Sequence, residues 1–177
     1  MKETEKITGR VVVVLTNTVT GEKKVQVTNN IVTNAGDLYY AERGVNTAVP
    51  TNFTDGGGTF DGIMELYSGS SAAPDKANDR SDLATLAPSS GKAMDSTYPK
   101  LDDDDSDNTG AGAGVITYRV SYSTGEANAT DIADVVITNP GPTSGEPLLM
   151  HAEFSGTFTK TSSDTLKVFV NHTMTGV

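Results

Sequence analysis

The chain has 177 residues, no cysteine, 36% hydrophobic residues, 6% aromatics and a formal net charge of -10. Disulfides and thiolate metal sites are therefore excluded, and the acidic balance disfavours naked nucleic acid and anionic membrane surfaces as partners. The length fits one domain, and abundant Gly, Ser, Thr, Asn and Asp suit a modest β core with generous loops better than a helix bundle.

Residues 1–10 read as a polar N-terminal arm and residues 11–177 as a single β domain. The start is not followed by an apolar region and a small-residue cleavage site, so no leader is expected. No stretch approaches the ~18 apolar residues of a membrane span. Residues 11–15 are apolar throughout, which predicts a strand buried on both faces or packed beneath another chain. Val11, Val12 and Val13 are accordingly interface candidates. Val25 and Val27 alternate with Gln26 and Thr28 in a second strand. From Thr33 the period changes. Thr33 or Asn34 caps a short helix, Asp37 favours its first turn, and Gly44 stops it. Its expected buried stripe is Leu38, Ala41 and Tyr40.

Residues 60–67 form the next predicted strand, with Ile63 and Glu65 on one side and Met64 and Leu66 on the other. Residues 68–74 are a Gly/Ser turn, and 75–86 an irregular stretch or short helical turn. Residues 88–114 are a long acidic loop containing Asp102-Asp103-Asp104-Asp105-Ser106-Asp107. A connection this long usually serves an interface or a ligand. The net charge is -8 over residues 55–107, against +1 before and -3 after.

Residues 115–123 alternate cleanly, with Tyr118, Val120 and Tyr122 on one face. Residues 132–137 are another strand, and Asn139-Pro140-Gly141-Pro142 marks a break. Two long strands follow, 148–158 and 166–174, joined by a polar turn and read as an antiparallel hairpin. Leu148, Met150, Ala152 and Phe154 face inward on the first, and Leu166, Val168 and Val170 on the second. Phe169 alternates onto the polar face, where a large aromatic needs cover. It is expected to meet a neighbouring subunit. About seven strands and one short helix predict an all-β fold, an antiparallel β-sandwich of jelly-roll-like or immunoglobulin-like kind.

Chemistry is sparse. Asp103, Asp105 and Asp107 have the alternating spacing of a calcium loop, but Asn108 stands where that loop needs Gly and Gly114 where it needs Glu. The three carboxylates are expected to be solvated, to meet a basic patch on a neighbour, or to hold a cation. His151 and His172, the two imidazoles, fall on opposite faces and make no zinc pair. No Gly-x-Ser-x-Gly elbow is present. Asp61 and Glu65 on one strand stand about 13 Å apart, outside glycosidase separations. The expectation is no catalytic residue, no metal and no cofactor.

Three stretches together resemble small bacteriophage virion β proteins, the head decoration (cement) proteins and related tail or fibre-attachment modules. The first is residues 27–38, with Asn30-Ile31-Val32-Thr33-Asn34-Ala35-Gly36. The second is Met64-Glu65-Leu66-Tyr67-Ser68-Gly69 through Ala73-Pro74, followed by Asp82-Leu83-Ala84. The third is residues 146–154 with Phe158-Thr159-Lys160 and residues 164–168. Where related sequences carry a Glu-x-Gly-Leu-like strand, this chain has Asp134-Val135-Val136-Ile137-Thr138, and it inserts an acidic stretch at 99–114. The resemblance implies a non-enzymatic capsid decoration protein on the outer surface of the virion. Its partners would be the major capsid protein and further copies of itself, as a dimer or trimer, with Tyr67 a further contact candidate. A tail, baseplate or fibre-adaptor role fits the same residues. A carbohydrate-binding module is the alternative of another class, with Phe169, Tyr39 and Tyr67 as its aromatic candidates.

Overall fold

The computed structural model describes residues 6–45, 49–141 and 145–175. They form one large antiparallel sheet and one short helix. The strands are β1 (Lys6–Asn17), β2 (Lys23–Val32), β3 (Ile63–Ser68), β4 (Thr85–Leu86), β5 (Lys92–Ala93), β6 (Lys100–Leu101), β7 (Val115–Tyr122), β8 (Ala129–Thr138), β9 (Leu148–Lys160) and β10 (Asp164–Thr175). The helix α1 (Asn34–Gly44) lies between β2 and β3. Across the sheet the order is β4-β3-β8-β9-β2-β1-β10-β7-β6, with β5 also on β3.

The expected arm is already strand from Lys6; residues 1–5 lie outside the described residues. Val11 to Val14 are all buried, so β1 needs cover on both faces and neighbours on both edges. It finds β10 on one edge and β2 on the other. β2 turns between the two halves of the sheet. Residues 23–30 pair with β1, whereas Ile31 and Val32 pair with His151 and Met150 of β9.

The expected hairpin of the last two strands does not form. Both strands are present, but β9 pairs with β8 and β2, and β10 with β1 and β7. The turn at 161–163 is a crossover between halves. Alternation places most inward residues: Leu166, Val168 and Val170 share one core cluster with Met150, Ala152 and Phe154. Leu148 does not follow it, because an irregularity opposite Ile137 and Thr138 turns Leu149 into that cluster and Leu148 into another with Tyr67 and Val136. The first cluster draws on β1, β3, β7, β8, β9 and β10. The Tyr122 hydroxyl on β7 donates to the Ser90 carbonyl, 3.0 Å away, beside the β3 end of the sheet.

The helix starts as expected, with the Thr33 hydroxyl accepting the Gly36 amide at 3.2 Å. Its buried stripe includes Tyr40 as expected and otherwise differs. Gly36, Tyr39 and Tyr40 face the sheet, while Leu38 and Ala41 face solvent. The reason is close approach: a methyl group on Gly36 would overlap the Leu149 carbonyl oxygen, so only glycine fits against β9. Gly36→Ala is therefore expected to destabilise by about 1–3 kcal/mol from overpacking. Helix propensity alone predicts a gain of about 1 kcal/mol. Urea denaturation reads the sign.

Candidate functional site

The five interface candidates are buried inside the chain. Val11, Val12, Val13, Phe169 and Tyr67 are each at most 4% exposed, so none is free to meet a neighbour in this fold. Phe169 lies opposite Val12 of β1 and Arg119 of β7, and clusters with Val12 and Val14 on the outer face of β1 and β10. Its cover comes from the same chain.

The acidic stretch folds back beside this face. Asp105 pairs with Arg119 and Lys167, both at 3.1 Å, and Asp107 with Lys23 at 2.8 Å and Lys167 at 3.0 Å. Asp95 takes Arg119 from the other side at 2.8 Å, and the Arg119 guanidinium stacks 4.2 Å from the Tyr98 ring centroid. Asp103 accepts the Tyr98 hydroxyl at 2.6 Å and the Asn108 amide at 2.9 Å, and pairs with Lys100 at 3.1 Å. Asn108 donates onward to Asn171 on β10 at 2.9 Å. The basic patch considered for a neighbour is thus supplied intramolecularly, by lysines and an arginine from β2, β6, β7 and β10. Among the described residues no group of three or more His, Asp or Glu side chains is placed to hold a metal ion.

Burial alone would raise the Asp103 carboxyl, but Tyr98, Asn108 and Lys100 outweigh it and hold it at about 2. A folded-state value below the unfolded ~3.9 stabilises the fold above pH ~4, and that share is lost as pH falls toward 2. Asp103→Asn is expected to cost about 2 kcal/mol at neutral pH and to flatten the stability-pH curve between about pH 4 and 2. Denaturant titrations across that range check it.

A second polar cluster lies on the outer face of β3, β8 and β9. Glu65 on β3, 1% exposed, accepts the Tyr67 hydroxyl at 2.7 Å and pairs with Arg80, which also donates to the Gly141 carbonyl. Burial pushes the Glu65 carboxyl up, with Tyr67 and Arg80 pulling it down. Beside it, His151 Nε2 lies 3.1 Å from the Asp134 carboxylate and Nδ1 lies 3.0 Å from Asn78 Oδ1. Ser71 donates to Asp134 at 2.7 Å. The carboxylate stands between hydroxyl and imidazole, so His151 is not placed to take the Ser71 proton as a general base would. His172 sits on the other face between Tyr40 (2.5 Å) and Asn30 (2.8 Å), and burial pushes its imidazole down to about 3.

Sequence reasoning weighed Glu65 only against Asp61 and missed Arg80. A carboxylate in an otherwise apolar strand was the available signal, since such a group needs a cation or a donor. No protein-family model, curated protein sequence or solved structure matches the chain.

Proposed function

We propose that the chain is a structural protein of a bacteriophage virion, a capsid decoration (cement) protein bridging major capsid subunits on the outer surface of the shell. One observation carries the reading: the three stretches that resemble that family pack together at one corner. The Thr33 amide of the first donates to the Leu149 carbonyl of the third at 3.2 Å, and Tyr67 and Leu83 of the second cluster with Leu148 of the third. Residues 75–81, which join the two parts of the second, add bonds from the Asn34 amide to the Lys76 carbonyl at 2.8 Å and from the Arg80 amide to the Glu146 carbonyl at 3.0 Å. Each stretch alone is generic strand-and-turn text. Three that are distant in sequence and interlock in space form a shared structural unit.

On this reading the sheet is a closed β-sandwich. β2 joins the halves along one edge, and residues 92–101 join them along the other. There β5 pairs with β3, the Asp95 amide donates to the Arg119 carbonyl at 2.8 Å, and β6 pairs with β7. The end strands β4 and β6 are two residues each, which suits a protein packed in many copies, because long bare edges invite edge-to-edge pairing. The role is mechanical: a rigid tile, as a dimer or trimer, adds buried area across subunit boundaries, on the general scale of about 1,200–2,000 Å² per stable interface. The carbohydrate-module alternative lacks its platform, since Phe169, Tyr39 and Tyr67 are all buried.

The test is to band, in a density gradient, the particles released from cells carrying the gene, and to quantify the chain in them by mass spectrometry. The chain is expected to co-band at a fixed ratio to the shell subunit and to persist on heads without tails. Retention only on tailed particles indicates a tail adaptor. A chain that never bands with particles overturns the virion reading.

A further inference from the structure

The acidic stretch has the construction of a lid. Its neck is pinned where the Asp102 amide donates to the Val115 carbonyl at 3.2 Å and the Gly114 amide to the Asp102 carboxylate at 2.8 Å. Both neck residues have positive φ, 53° at Asp102 and 74° at Gly114, so the chain reverses sharply at each end. Ends this close define a compact loop of the Ω type. Between them, the backbone hydrogen bonds found among the described residues stay inside the loop, from Asn108 to Asp105 and from Ala111 to Asn108. What fastens residues 103–111 to the sheet is side chain. Asp105 and Asp107 hold Lys23, Arg119 and Lys167, while Asn108 holds Thr117 and Asn171. Gly110 adds a close approach to Asn171 and the Arg10 side chain.

We propose that residues 103–111 form a charge-latched lid that swings about the 102/114 neck as a unit, while the sheet beneath stays folded. Two differences in chemistry support separate opening. The sheet is held by backbone ladders and a large apolar core, whereas the lid is held by ion pairs whose lysines are partly in solvent, Lys23 at 53% and Lys167 at 37% side-chain exposure, and at one point by the buried Asn108 bonds to Thr117 and Asn171. Ion pairs open to solvent weaken with salt, because the screening length falls from about 10 Å at 0.1 M to about 3 Å at 1 M. Ladders and core do not weaken in this way. Opening releases Lys23 and Lys167 and leaves Arg119 to Asp95 and Tyr98, so the lid sets the charge and access of the face that holds the Val12, Val14 and Phe169 strip. The proposal does not depend on the virion reading.

Hydrogen exchange read by mass spectrometry on the full chain tests it, at neutral pH in about 0.05 M and about 1 M NaCl. Exchange across residues 103–111 is expected to rise roughly tenfold at high salt, with β7 and β10 unchanged. The variant Asp105→Asn with Asp107→Asn is expected to show the fast exchange already at low salt and to lose the salt dependence. Equal lid exchange at both salt concentrations in the natural sequence overturns the proposal. So does lid exchange that rises only together with β7 and β10, which would mean the lid has no opening of its own. The salt comparison decides even if the variant fails to fold.

Discussion

Arg80→Ala is expected to lower the unfolding free energy by about 3–5 kcal/mol, the usual cost of removing one partner of a buried ion pair. The Arg80 side chain is 11% exposed and that of Glu65 1%, so the guanidinium compensates a carboxylate that has almost no contact with solvent. Arg80 also holds the Gly141 carbonyl and bonds the Tyr67 hydroxyl, which ties residues 79–82 to β3 and to the break after β8. The pH dependence separates lost charge compensation from lost packing. Burial already pushes Glu65 up, and without Arg80 nothing but Tyr67 opposes it. A group raised in the folded state contributes stability that is present below its unfolded value and lost as pH rises through its folded value. The deficit of Arg80→Ala should therefore be smaller near pH 5 than near pH 8. Denaturation midpoints at the two pH values measure this, and a deficit independent of pH would assign the effect to packing alone. Replacing both partners by apolar residues, Glu65→Leu with Arg80→Met, is expected to recover most of the loss, because buried pairs often exchange for apolar contacts at little cost.

Phe169→Ala is expected to cost about 3–5 kcal/mol as well, by a different route. The ring is fully buried beside Val12 and Val14, and the surrounding β ladders cannot collapse into the space it leaves. Phe169→Leu keeps most of the volume and should cost less than about 1.5 kcal/mol. The measurement pairs urea denaturation with light scattering. A loss of stability without a change of oligomeric state is the expected result. A change of oligomeric state at unchanged stability would restore Phe169 to an interface.

Phe169 also shows what the sequence could and could not convey. Alternation over residues 115–123, 150–154 and 166–170 sorted side chains onto two faces, because side-chain direction in a strand is a local property. It could not show that the second face is buried too, as His151, Phe169 and Asn171 are. The same pattern cannot name a strand's neighbour. Backbone donors and acceptors are alike in every strand, so β10 choosing β1 over β9 depends on burial summed along twelve paired positions. Alternation marks Phe169 as needing cover but not where that cover comes from, and the same chain supplies it. The carboxylates beside its face find cations at long sequence separation, Lys167 some sixty residues from Asp107 and Lys23 eighty-four away. No local spacing encodes such a match. In α1, Leu38 and Ala41 have helical spacing and remain in solvent, because the tight packing at Gly36 rotates the helix to bury Tyr39 and Tyr40. Glycine carries no hydropathy signal for that role.

The virion reading meets its most direct test in cryo-electron microscopy of the particles. Decoration predicts density fitting this antiparallel sheet on the outside of the head, at boundaries between shell subunits and repeated with the shell's symmetry. A head surface without such density contradicts the decoration role, and density on the tail alone moves the chain there.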